Sequence, residues 1–150
     1  MLIQSFWNRF LNKVKLDEGV KYTTVFHFEL TEKLANELLA LVFKGQKKAT
    51  ASSLNSYEIE NEDLPKVGDY NIVTSWDGIP RCVIKTTEVT LVPFKDMTYE
   101  LCSKEGEDDN LESWREGTMR FFIAEGKEMG YQFTEDLVVV FEEFAVVYQE

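Results

Sequence analysis

At 150 residues, 44% of them hydrophobic and 13% aromatic, the chain is long and apolar enough for a single packed domain, which excludes an intrinsically disordered tail. Its 27 acidic and 16 basic residues give a formal net charge of -11, which opposes binding to extended duplex DNA or to an anionic membrane. Two cysteines without CxxC spacing (Cys82 and Cys102), a single histidine and no apolar run of membrane-spanning length point to a reduced, cytoplasmic protein with no cofactor and no metal centre.

The stretch "LIQSFWNRFLNKV" sets Ile3, Phe6, Phe10 and Val14 at helical spacing, predicting an N-terminal helical extension (residues 1–24) packed on a main domain of residues 25–150. "YTTVFHFEL" predicts a strand from its β-branched and aromatic content, with His27 as a partly buried structural residue between Phe26 and Phe28. Thr31 is the N-cap of a second predicted helix, "EKLANELLALVFK", with Leu34, Leu38, Leu41 and Val42 on one face and Gly45 as its stop. "NSYEIENEDLP" reads as an acidic surface segment. "KVGDYNIVTSW" and "IPRCVIKTTEVTLVPF" predict a hairpin turning at "DGIP", its second strand long enough to bend as a small barrel requires.

The charge run "KEGEDDN" reads as a solvated loop whose carboxylates pair with Arg115 and Arg120, since it lacks the spacing of a calcium loop. "LESWREGTMRFFIAEGKEMG" predicts a helix between an Asn110 cap and a Gly130 stop, with Leu111, Trp114, Thr118 and Phe121 on one face. "DLVVVFEEFAVVYQ" predicts one or two strands interrupted at "EE". The order of elements is α+β, a curved sheet with helices at its rim, and it departs from the regular alternation of a doubly wound fold.

The segment "GQKKATASS" combines a glycine that turns the backbone, two ammonium groups, and the hydroxyls of Thr50, Ser52 and Ser53. Composition alone favours a solvated helix end, because lysines suit the negative pole of the helix dipole. From Ala40 to Leu54 the chain has lysines and no acids, and Arg81 and Lys85 lie on a strand able to border the same cleft. An anionic ligand there would meet Lys47 and Lys48, with Tyr57, Trp76 or Trp114 available to stack on a base, although packing is the simpler role for Trp114.

The segments "GQKKATAS", "LPKVGDYNIVTSWDGIPRCVIKTTEVTLVPF", "EGEDDNLESWREG" and "FTEDLVVVFEEFAVVY" together resemble the ASCH family (activating signal cointegrator homology) from about Val25 to Tyr148, in its longer bacterial branch. The resemblance implies a PUA-like small mixed β-barrel with flanking helices, a cleft beside the G-x-K loop, RNA or a small nucleoside-like molecule as ligand, and, by one branch, RNA binding or ribonuclease activity. Of the family signature G-x-K-x-x-E-x-R this chain keeps Gly45 and Lys47, with Thr50 in place of Glu and Ser52 in place of Arg. A branch of the family hydrolyses N(4)-acetylcytidine with a Lys, a Thr three residues on and a later Glu. Lys47 and Thr50 match the first two, and Glu107 matches the third when aligned on Leu111, with Glu105 as the neighbouring alternative.

On that resemblance Thr50 is the nucleophile, a desolvated Lys47 its base, and Glu107 the group that orients Lys47 or shuttles a proton. Gly45, Lys48, Ser52, Ser53, Tyr57, Arg81 and Trp114 are the candidate ligand contacts. The competing expectation is a non-catalytic protein-interaction module that recruits a basic partner through Glu105 to Asp109.

Overall fold

Two long antiparallel strands organise the structure, a computed structural model that describes residues 2–150. They are β4 (Pro80–Pro93) and β5 (Val138–Gln149); the other strands are β1 (Thr24–Phe26), β2 (Ala49–Ser53) and β3 (Tyr70–Thr74). The five form one sheet in the order β1-β3-β4-β5-β2, with β1 and β3 parallel and every other neighbour antiparallel. Register shifts between Val73 and Thr74, between Val83 and Ile84 and between Thr86 and Glu88 mark the bulges that bend these strands. The sheet curls until both its edges, β1 and β2, border one cavity. The expected small mixed barrel is therefore present as an open half-barrel, and the cavity is its unclosed seam.

The helices are α1 (Leu2–Val14), α2 (Glu32–Phe43), α3 (Leu54–Glu60), α4 (Tyr99–Cys102) and α5 (Leu111–Met129). No helix among the described residues is long and apolar enough to cross a membrane. Strand alternation decides which helix covers which face: Ile72 and Val83 point to Phe6, Trp7, Phe10 and Leu11 of α1, while Val73, Cys82 and Ile84 point to Leu39 and Val42 of α2. A third cluster joins Trp114 and Phe122 of α5 to Ala49, Phe94, Val139 and Phe141.

Four sequence expectations change. The buried stripe of α1 is Phe6, Trp7, Phe10 and Leu11, and Val14 is exposed, because Trp7 packs on Tyr22 and Tyr70 and donates from Nε1 to the Val20 carbonyl. The acidic segment after β2 begins as a helix, α3, which buries no side chain and is held by a Ser53 cap and a left-handed Asn61. β5 runs unbroken through Glu142 and Glu143, because Glu142 accepts hydrogen bonds from Thr86 and Asn71 and Glu143 pairs with Lys104 at 3.0 Å. His27 lies beyond the end of β1 and is exposed, its ring against Trp76.

Candidate functional site

At the exit of α2 the extended backbone sends alternate side chains to opposite sides. Lys47 turns inward and Lys48 outward, while Lys48 fixes the segment by donating its N–H to the Lys104 carbonyl and accepting from the Phe144 N–H. Gly45, at φ +76°, makes the turn out of the helix and touches neither cavity described below. Lys47 is only 2% exposed, and its Nζ lies 2.6 Å from Glu107 Oε2, 3.5 Å from Glu105 Oε2 and 5.4 Å from the centre of the Phe28 ring.

The two carboxylates reach Lys47 because the acidic loop is clasped to the α2–β2 loop. Gln46 Nε2 donates to the Gly106 carbonyl at 2.6 Å, and a side chain at Gly106 would place its Cβ 2.1 Å from the Gln46 carbonyl oxygen. The expected solvated loop is thus half folded inward: Glu105 is 7% exposed, and its Oε1 accepts from Trp114 Nε1 at 2.7 Å. Burial pushes the Glu105 carboxyl up to about 7, with Lys47 pulling it down and Glu107 pushing it further up. Glu107, with its side chain 24% exposed, is the member of the trio that a ligand can reach.

Lys47, Glu105 and Glu107 line a chamber of about 310 Å³, walled by Leu34, Leu38 and Leu41 of α2 and by Thr118 and Phe121 of α5. The apolar face expected for α2 is therefore divided: Ala35, Leu39 and Val42 enter the core, and the three leucines face the chamber. A second chamber of about 340 Å³ lies against β1, β2, Asn71 and Glu142. Both chambers share Glu29, Thr50, Ala51 and Phe121, so they form one cleft with Thr50 at the junction. No hydrogen bond joins Thr50 to Lys47 among the described residues.

The remaining candidates separate. Ser52 and Tyr57 line the second chamber, where the Tyr57 hydroxyl donates to Ser52 Oγ at 3.3 Å. Ser53 is buried, caps α3 and donates to Glu125 Oε1 at 2.7 Å. Trp114, 1% exposed, offers no face to a base and touches the site only by its bond to Glu105. Arg81 lies outside the cleft over the Phe43 ring, Lys85 over the Tyr70 ring, and Trp76 against His27. Arg115 pairs with Glu135 rather than with the acidic loop, and Arg120 lines the first chamber.

The charge of the cleft is the reverse of what its lysines suggested. The second chamber is lined by seven acidic side chains (Glu29, Glu60, Glu62, Asp63, Asp69, Glu125 and Glu142) and by no lysine or arginine. Lys47 and Arg120 are the cations of the first chamber, against Glu29, Glu37, Glu105, Glu107 and Asp108. Sequence reasoning missed Glu29 and Glu142, which it met only as residues of predicted strands; the register of Thr50 with Glu142 across β2 and β5 is what brings the latter in. Burial raises the carboxyls of both above the usual range.

A family model described as the ASCH domain matches residues 23–148. A crystal structure of a protein from Enterococcus faecalis V583 is 35% identical, with a TM-score of 0.88 over 95% of this chain and 86% of that one. A crystal structure of an ASCH domain from Lactobacillus crispatus JV V101 is 34% identical, with a TM-score of 0.84 over 97% of this chain and 94% of that one. A hypothetical protein of known structure, 19% identical with a TM-score of 0.52 over 83% of this chain and 99% of that one, shares the fold alone. Among curated proteins there is no match.

Proposed function

Because the chain belongs to the ASCH domain family, we propose that its cleft binds a nucleoside-sized ligand without a phosphate and hydrolyses an acyl–amide bond on it, N(4)-acetylcytidine being the probe substrate. One observation carries this reading: the Lys47 ammonium, buried and held by Glu107 and Glu105, faces the same chamber as the Thr50 hydroxyl. The leucine walls and Phe121 suit the flat apolar face of a base.

With Nζ engaged by two carboxylates, Lys47 serves as a donor and the base role falls to Glu107. Thr50 Oγ1 adds to the acyl carbon while Glu107 takes its proton, and Lys47 donates to the carbonyl oxygen as charge builds there. The C–N bond breaks as Glu107 returns the proton to the amine nitrogen. Water then hydrolyses the threonine ester, releasing the acid and restoring the hydroxyl.

The carboxylate lining argues against RNA, whose phosphates would enter a field of their own sign. The acidic loop is also poorly placed to dock a basic protein, since Glu105 and Glu107 are turned onto Lys47 and Asp108 accepts from Ser113 Oγ.

Incubation with N(4)-acetylcytidine should yield cytidine and acetate by mass spectrometry, with Thr50→Ala and Glu107→Gln each losing about 10²-fold or more in kcat. Lys47→Ala is a poorer probe, because it strands the buried Glu105 carboxyl at a cost of about 3–5 kcal/mol in stability. Cytidine monophosphate should bind more weakly than cytidine. If the folded wild-type protein releases no acetate, the hydrolytic reading is wrong.

A further inference from the structure

Glu29 occupies an unusual place in both backbone and cleft. It is a non-glycine residue at φ +60°, a left-handed conformation that the surroundings must impose and that recurs where a site needs a side chain aimed in one direction. It follows β1 and precedes α2, and it lines both chambers at the passage that Thr50 also borders. Its hydrogen bond among the described residues is a 3.3 Å contact from the Leu30 N–H to Oε1. Glu107, Arg120 and Lys47 are the charged groups that act on it from the facing loop, α5 and the α2–β2 loop.

We propose that Glu29 is the specificity residue of the cleft, accepting paired hydrogen bonds from the vicinal hydroxyls of a ribose. The inference rests on the hydrolytic reading above and deepens it. With the acyl group at Lys47 and the base between the leucine walls and Phe121, the sugar lies toward the passage, where the surroundings change from apolar to hydroxyl and carboxylate groups such as Thr24, Ser52 and Tyr57. A carboxylate offers two oxygens, only acceptors, which fits two adjacent O–H donors and repels a phosphate.

The test compares N(4)-acetylcytidine with its 2′-deoxy counterpart on the wild type, Glu29→Gln and Glu29→Gly. Hydrogen bonds to a charged acceptor predict a wild-type preference for the ribo form of about tenfold or more in kcat/KM. Glu29→Gln should lose that preference through KM, with kcat largely kept. Glu29→Gly should lose it too while melting at a higher temperature, because glycine relaxes the left-handed backbone. A Gln or Gly variant that still prefers the ribo form overturns the inference. Equal turnover of both compounds by the wild type overturns it while leaving the hydrolytic reading in place, and no turnover of either sinks both.

Discussion

Taking the Glu105 carboxyl out of water favours its protonated form, and the consequence is a stability that depends on pH. Unfolded, the group titrates near 4.5; folded, it does so at about 7, so between these values the folded state holds more protons than the unfolded chain. Its contribution is complete below about pH 4.5 and is lost as pH rises through about 7. Glu29 and Glu142, raised by burial as well, act in the same direction. Thermal melts of the wild type should therefore show a midpoint that falls across this window, and Glu105→Gln should flatten the fall. A wild-type midpoint that rises with pH there would contradict the assignment. At this scale the sequence was partly legible. Lys47 and Thr50 stood out by their match to the family motif, but composition and spacing alone did not distinguish Lys47 from Lys48, and it is strand alternation that sends one inward. Glu29 was hidden because its position depends on a backbone angle that no residue type announces.

Among elements, capping and patterning revealed those helices whose ends or faces carry strong signals. Asn110 and Gly130 bound α5 as read, and Thr31 caps α2. α3 escaped notice because a helix that buries nothing leaves no apolar period. The inward fold of the acidic loop escaped for another reason: it is set by a close approach between Gly106 and Gln46, 60 residues apart in sequence. Gly106→Ala should be destabilising by about 1–3 kcal/mol, from its positive φ and from the clash with the Gln46 carbonyl. The same change should weaken the hold of Glu105 and Glu107 on Lys47, so activity should fall beyond the fraction unfolded. Chemical denaturation and a kinetic assay on the folded fraction check the two effects separately. A variant with wild-type stability would show that the two loops can part without cost.

For the whole molecule, hydropathy and element order pointed to a curved sheet in an α+β fold, and the half-barrel agrees. The distribution of charge did not follow from the sequence. The end of the acid-free stretch, Thr50 to Ser52, faces carboxylates contributed by β5, α5 and the segment after α3, while Lys47 faces those of the acidic loop, and only the fold brings these together. The predicted preference for uncharged nucleosides over nucleotides belongs to this scale, because it arises from the summed field of the cleft rather than from one contact. It should weaken as salt is raised, which competition titrations at two ionic strengths will measure.

The strand that carries Thr50 has one partner in the sheet, β5, and Thr50 stands opposite Glu142. That pairing spans most of the chain, so its loop closure is entropically expensive and comes late in folding, whereas β3 and β4 are joined by a short turn and pair early. During refolding, pulse-labelled amides of β3 and β4 should gain protection before those of β2. Thr50 then takes its place only after the C-terminal strand has docked. The cleft is thus complete only when folding is complete, and partly folded chains would not bring Thr50 and Lys47 to one chamber.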